Sequence, residues 1–335
     1  MKIVIPMAGR GSRLRPHTLT TPKPLIVFTG KSIVKRLVED IVSICDDKID
    51  EIAFVIGDFG DEVKIDLLKI ASDLGAKGTV VYQKKPLGTA HAILCAKQTL
   101  VGNVVVAFAD TLFKADFKLD KSNDGIIWVS KIDDPSAFGV VKTDSNNIIT
   151  DFVEKPKDFV SDLAIIGIYH FKDGENLKNE LQYLLDNNIK DRGEFQLTDA
   201  LENMKRKGLK FSTGKVDEWL DCGNKDATVY TNTRVLEHNK SKDMIDSSAQ
   251  IINSEIIQPC FIGANSKIKN CIIGPYVSIG KETTIIDSEL KNTIIQSQSN
   301  LINAKLSNSM VGNLVQFNGH NITQEISIGD YSEIK

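Results

Sequence analysis

Cations crowd the residues that follow the first apolar run of the chain. Arg10, Arg13 and Arg15 lie in and just after Ala8-Gly9-Arg10-Gly11-Ser12-Arg13-Leu14, and Lys23 follows between prolines in Pro22-Lys23-Pro24-Leu25. Small residues let a backbone come close to a ligand, and successive N–H groups there form a concavity that binds anions. Cations of this density fit a triphosphate. Gly9-Arg10-Gly11 lacks the third glycine of a dinucleotide fingerprint, and no Gly-Lys-Ser/Thr P-loop is present. The competing reading is an ordinary strand-to-helix turn with solvated arginines.

Carboxylates stand at two further places. Asp110 ends the run Val104-Val105-Val106-Ala107-Phe108-Ala109, where it is either a metal ligand or the cap of a following helix. Asp221, in Trp219-Leu220-Asp221-Cys222-Gly223, reads by itself as a turn residue before glycine. Glu154-Lys155-Pro156 reads by itself as a common strand end.

The elements that must position these residues alternate in the first half. The β-branched run Ile3-Val4-Ile5 predicts a buried strand over Lys2–Pro6. Apolar spacing predicts a helix over 32–45, begun by a Ser32 cap, and further helices over 61–74 and 89–100. Strands are predicted over 52–56, 79–82 and 104–109. This alternation implies a parallel sheet with helices on both faces, and ligands bind outside the carboxyl ends of such strands. The cationic loop, Gln83-Lys84-Lys85-Pro86-Leu87-Gly88-Thr89-Ala90 and Asp110 all fall at those ends. From 125 onward strands are predicted over 126–129, 139–143, 148–154, 164–171 and 209–213, with helices over 174–185, 196–207 and 225–236.

A polar run over 237–244 reads as a linker between a catalytic domain, 1–236, and a second domain, 245–335. In the latter, isoleucines recur at six-residue intervals (Ile245 and Ile251; Ile262 and Ile268; Ile273, Ile279 and Ile285) among glycines and small polar residues. The period suggests a parallel β-helix with isoleucines stacked inside. The register slips by one between Ile268 and Ile273 and blurs after Leu290, and the alternative is a β-sandwich.

Composition excludes other classes. Hydrophobic residues make up 41% of the 335 residues, charged residues 25%, and the net charge of −3 gives no basic field for nucleic acid. No apolar run is long enough for a membrane span, and the first strand is too short for a secretory leader. The 5 cysteines are odd in number and lack metal spacing, which reads as reduced thiols in a cytoplasmic protein.

Gly9-x-Gly11-Ser12-Arg13-Leu14-x-Pro16-x-Thr18 followed by Pro22-Lys23-Pro24-Leu25 resembles the signature of the sugar-1-phosphate nucleotidylyltransferases. Further motifs of that family follow in order through about residue 230. The resemblance implies an α/β fold: a Rossmann-like nucleotidyltransferase domain with a mixed, mainly parallel sheet, then a left-handed parallel β-helix of hexapeptide-like repeats. It implies Mg2+-dependent in-line attack of a hexose 1-phosphate on the α-phosphate of a nucleoside triphosphate, releasing pyrophosphate. The attacking oxygen is already ionised near pH 7, so no general base is needed.

On the nucleotide side the resemblance places backbone contacts at Ala8, Gly9, Gly11 and Ser12. Arg13 would hold the departing β- and γ-phosphates and Lys23 the α-phosphate. Gln83, whose amide both donates and accepts, can read a base edge, and Gly88 would lie against the base. On the sugar side it implies Lys155 on the phosphate, Glu154 on sugar hydroxyls, and Gly139, Gly167 and Glu194. Asp110 and Asp221 would bind magnesium, and Asp199 reads as a structural cap. The departures are Ala109-Asp110-Thr111 where Gly-Asp-Asn is usual, Phe138 where Tyr is common, and Met7, read as a core filler, where a smaller residue is common.

The implied activity is thymidylyl transfer from dTTP to glucose 1-phosphate. Mannose-1-phosphate guanylyl transfer and glucose-1-phosphate uridylyl transfer remain open, because Gln83 and Gly88 do not fix the base. A non-catalytic regulatory subunit of the family is a rival from a different class, opposed by the presence of Arg13, Lys23, Asp110, Lys155 and Asp221. An acyltransferase in the coils is opposed by His320 being the sole histidine there. The coils are expected to brace the catalytic domain or to join subunits into a homo-oligomer.

Overall fold

A computed structural model of the protein describes residues 1–9, 11–115, 122–320 and 322–335. They form two compact units. The first comprises Met1–Gly9 and Leu37–Trp219, the second Arg10–Arg36 and Leu220–Lys335. Up to His238 the elements run β1 (Lys2–Pro6), β2 (Val27–Phe28), β3 (Lys31–Ser32), α1 (Ile33–Ile44), β4 (Glu51–Ile56), α2 (Asp61–Asp73), β5 (Lys77–Tyr82), α3 (Thr89–Cys95), β6 (Val104–Ala107) and β7 (Thr111–Lys114). Next come β8 (Gly125–Lys131), β9 (Val140–Thr143), β10 (Ile149–Val153), β11 (Leu163–Phe171), α4 (Gly174–Asp186), α5 (Leu197–Arg206), β12 (Phe211–Lys215), β13 (Glu218–Asp221) and α6 (Lys225–His238).

The first unit is built on a 9-stranded sheet. Its parallel half runs β6-β1-β4-β5, with Ile3 opposite Ile52 on one side and Val105 on the other. Ile3, Val4 and Ile5 are wholly buried, since a central parallel strand is covered on both faces and reads as a continuous apolar run. β11 pairs antiparallel with β6 and β8 and carries the sheet into its antiparallel half, where β9 and β10 follow and β12 runs parallel to β8. Because β1, β5 and β6 point the same way, residues 7–9, 83–88 and 108–110 emerge at one end of the sheet.

Local sequence accounts for most boundaries. Ser32 Oγ accepts from Lys35 N at 3.4 Å, the expected cap of α1. The helix expected over 89–100 stops at Cys95 and continues as turns, with Lys97 N bonded to Leu94 O and Thr99 N to Ala96 O. Strand β7 follows Asp110 directly, so the reading of Asp110 as the cap of a following helix fails. Met7 is buried and donates its N–H to Val55 O at 2.8 Å, in keeping with a core filler.

The second unit contains a parallel β-helix. Ile251, Ile268, Ile285, Leu301, Phe317 and Ile334 align in one column. Ile256, Ile273, Leu290 and Leu306 form a second column, and Ile262, Ile279, Ile295, Val311 and Ile328 a third. These registers make each coil 16 or 17 residues long: the 17-residue coils that begin at Ile251 and Ile268 have one five-residue side and two of six, and the 16-residue coils that begin at Ile285 and Leu301 have two five-residue sides and one of six. The slip at Ile268–Ile273 is one of the shorter sides, and parallel coils exclude the sandwich. Asn253, Asn270, Asp287 and Asn303 take positive φ at one corner, where Asn and Asp are tolerated, and side-chain bonds of 2.9 Å link Asn253 to Asn270 and Asn270 to Asp287.

The segment before α1 belongs to this unit and is fastened to it at several points. Thr29 N donates to Ser278 Oγ at 2.6 Å, Thr29 Oγ1 to Asn232 Oδ1 at 3.0 Å, and Gln296 Nε2 to Val27 O at 2.7 Å. Thr20 and Thr21 hydroxyls donate to Asp330 at 2.7 and 3.3 Å. No helix among the described residues is long and apolar enough to cross a membrane.

Candidate active site

The cationic loop is organised by Gly11. It takes φ 64°, ψ 40°, a conformation that glycine enters without steric cost. A Cβ there would sit 2.8 Å from Lys23 Cβ, so the missing side chain is what admits the lysine stem. Gly11 O accepts from Thr18 Oγ1 at 2.8 Å and from Leu14 N at 3.0 Å. Lys23 is only 7% exposed, whereas Ser12 and Arg13 lie on the surface. Gly11, Thr18 and Lys23 are thus brought together within the second unit. Ala8 and Gly9 follow the first unit's opening strand, and a Cβ on Gly9 would meet nothing within 4 Å. That glycine is not demanded by packing, which leaves its surroundings open to a ligand.

His17, in the middle of this loop, is buried with Nε2 3.1 Å from Ser327 Oγ. Burial lowers its pKa to about 4, against the opposing pull of Asp330.

In the first unit, Gln83 leaves β5 and meets the start of α3. Its Nε2 donates to Gly88 O at 3.2 Å and lies 3.0 Å from His91 Nδ1. Gly88 has φ 111°, ψ 178°, and a Cβ would lie 2.4 Å from Phe195 O and 3.0 Å from Glu194 Cβ. That packing is fixed by Phe195 N to Leu87 O and Ala90 N to Phe195 O, both 2.9 Å. Gly88 and Glu194 are therefore neighbours. The sequence gives His91 no role, because its contact with Gln83 exists only once a strand end and a helix start are set side by side. Burial lowers its pKa, which favours the neutral ring.

The other candidates cluster around Glu154. Its Oε2 accepts from Thr198 Oγ1 at 3.1 Å, its Oε1 lies 3.5 Å from Lys155 Nζ, and a Cβ on Gly139 would come 3.2 Å from Oε2. Gly139 thus makes room for this carboxylate. Lys155 holds φ 39°, fixed by its N–H to Phe138 O at 3.1 Å and by Arg192 Nη2 to its carbonyl at 2.7 Å. A left-handed non-glycine residue costs of order 1–3 kcal/mol and persists only where its surroundings enforce it. Gly167, at φ 86°, sits where the β11–β8 register shifts, and its carbonyl accepts from Phe108 N at 2.9 Å beside the Asp110 turn. Glu194 is exposed and accepts from Gln196 Nε2 at 3.2 Å.

Asp199 is not a helix cap. α5 begins after Gln196 and no side chain caps it, while Asp199 Oδ2 is buried without a hydrogen-bond partner among the described residues. Burial, then the nearby Asp191 and Glu154, raise its pKa. Thr198 and Arg192 also contribute to this cluster, in roles that the sequence did not show.

Asp110 and Asp221 lie in different units. Asp110 is partly buried at the end of the buried β6 run. Asp221 closes β13, its carbonyl accepts from Thr231 Oγ1 at 2.8 Å, and a Cβ on Gly223 would fall 2.8 Å from its Oδ2. Gly223 therefore clears space for that carboxylate. No group of three or more His, Cys, Asp or Glu side chains among the described residues could hold a metal by itself. One or two carboxylates, with substrate oxygens completing the shell, is the donor set that suits magnesium.

Comparison with known proteins identifies the family. A family model described as nucleotidyl transferase matches residues 2–238. A glucose-1-phosphate thymidylyltransferase of Streptomyces antibioticus is 27% identical over 369 residues, covering 100% of this chain and 99% of the relative. The bifunctional protein GlmU of Methanococcus aeolicus is 31% identical over 267 residues, covering 77% of this chain and 60% of its own. Among solved structures, a UDP-glucose pyrophosphorylase complexed with UDP-glucose superimposes with a TM-score of 0.59 at 23% identity, over 71% of this chain and 98% of that one. A nucleoside-diphosphate-sugar pyrophosphorylase from Vibrio cholerae gives 0.59 at 21%, over 68% and 98%. At those identities the likeness is one of fold.

Proposed function

The chain belongs to the nucleotidyl transferase family, and we propose that it transfers a thymidylyl group from dTTP to glucose 1-phosphate. An ionised phosphate oxygen of the sugar phosphate attacks the α-phosphorus in line. The bond from that phosphorus to the bridging oxygen breaks, and pyrophosphate leaves with the electron pair, so no proton need move. Catalysis is then positioning and charge neutralisation. Lys23, its stem fixed against Gly11, neutralises the α-phosphate, and Arg13 holds the β- and γ-phosphates with backbone help from Ala8, Gly9, Gly11 and Ser12. Lys155 grips the sugar phosphate, Glu154 and Glu194 accept from sugar hydroxyls, and Gly139 and Gly167 leave room for the ring. Magnesium, held by Asp110 and Asp221, would supply further neutralisation of the triphosphate.

The observation that carries the choice of substrates is the end-to-end match with the Streptomyces antibioticus relative, which spans both compact units. Pyrophosphate release with magnesium, measured over a grid of nucleoside triphosphates and hexose 1-phosphates, tests it. The expected result is one dominant cell at dTTP and glucose 1-phosphate. A dominant cell elsewhere replaces the substrates, and a blank grid overturns the reading. The coils are assigned to subunit association, which sedimentation of the intact protein checks.

A further inference from the structure

We propose that His91 is a positioning residue that makes Gln83 an acceptor-only reader of the nucleotide base, admitting bases with an N–H at the reading position and rejecting those with a bare ring nitrogen. The inference rests on the assignment of Gln83 to the base.

The argument starts from the carbonyl of Gly88, which can only accept. The side-chain atom 3.2 Å from it is therefore the amide nitrogen of Gln83, whichever way the amide might otherwise be placed. The same nitrogen lies 3.0 Å from His91 Nδ1. A primary amide has two hydrogens, and these two acceptors use both. His91 must then be neutral with its proton on Nε2, the form that burial favours. Gln83 Oε1 has no partner among the described residues. What Gln83 offers a ligand is one carbonyl oxygen and no donor.

Thymine and uracil carry an imide N–H between two carbonyls, and this hydrogen suits such an oxygen. Cytosine has a bare ring nitrogen at the same position, which would face Oε1 lone pair to lone pair. Gly88 O, which can only accept, fixes which end of the amide faces it but leaves the second amide hydrogen free to donate to a ligand. His91 Nδ1 takes that hydrogen and leaves the carbonyl oxygen alone to meet the base.

The test compares UTP with CTP, which share ribose, triphosphate and ring size, by calorimetry on the intact protein. Wild type should favour UTP by about tenfold or more, the scale of one neutral hydrogen bond gained rather than opposed. In His91→Gln a side-chain carbonyl can still accept, so the preference should persist. In His91→Lys the new group only donates, so the second amide hydrogen is left for the ligand and the preference should fall about tenfold. Inorganic tripolyphosphate should bind His91→Lys as it binds wild type, and the KM for the sugar phosphate should not move, which a collapsed site would not allow. An unchanged UTP-to-CTP ratio in His91→Lys overturns the proposal while the activity stands. Failure of wild type to bind any nucleotide overturns the base assignment and the proposal with it, and is recognised by failure before any substitution.

Discussion

Acid should loosen the cationic loop through His17 before it unfolds the sheet. The ring is 2% exposed, and among the described residues Ser327 is its one hydrogen-bond partner and Nδ1 is buried without one. The folded protein therefore holds the ring neutral, with a pKa of about 4 against 6.5 for a free histidine. The folded value is the lower of the two, so the unfolded chain binds the proton more readily. Stability is complete above pH 6.5, falls as pH drops below it, and levels off below about pH 4. A gap of about 2.5 pKa units corresponds to about 3 kcal/mol. The assay is urea unfolding of wild type and His17→Gln from pH 7.5 to 4. Glutamine carries no titrating group, so the difference between the two curves isolates His17 from the carboxylates that titrate in both. Wild type should lose about 3 kcal/mol relative to the variant across this interval. Curves that stay parallel would refute the reasoning, because a ring that reaches water in the folded state has no such gap.

Gly88→Ala should be costly in both stability and activity, because the new Cβ would meet Phe195 O at 2.4 Å and φ 111° suits glycine alone; unfolding and steady-state kinetics that match wild type would show that the Leu87–Ala90 turn can yield. Asp110→Asn should lower turnover by on the order of 10²- to 10³-fold with an unchanged circular dichroism spectrum, and full activity would remove the metal assignment. Asp199→Asn should stabilise the protein at pH 7. Its carboxyl is held above the ordinary range, so its ionisation favours the unfolded chain, and the gain should vanish below about pH 4, where both states hold the proton. Lower stability of the variant at pH 7 would count against that sign.

The parallel core was legible because Ile3-Val4-Ile5 and Val104-Val105-Val106 are continuous apolar runs, and continuity has one common cause in an α/β protein, a strand covered on both faces. The coils were legible for a similar reason, since a repeat puts the same side chain at the same corner. Even the apparent fault at Ile268–Ile273 was a true reading of a five-residue side. What the sequence withheld depends on partners far along the chain. Thr29 and Ser278 are separated by 249 residues, and nothing in either stretch says that the loop leaving β1 fastens to the β-helix. Strand β7 was missed after Asp110 because only four residues form it.

The same distinction runs through the site. Types and spacing pointed to cations that could meet phosphate and to an amide that could meet a base, and the family resemblance pointed to residues for the sugar, because those properties belong to single side chains. They could not say which hydrogen-bonding face a side chain presents, because that belongs to pairs. Gln83 is both donor and acceptor in isolation, and an acceptor alone once Gly88 O and His91 Nδ1 have taken its two hydrogens. Lys155 is an ordinary lysine in sequence, and a left-handed one once Phe138 and Arg192 hold its backbone. Specificity in this protein is therefore to be sought in the residues that constrain its site residues, which sequence comparison of the site residues alone would pass over.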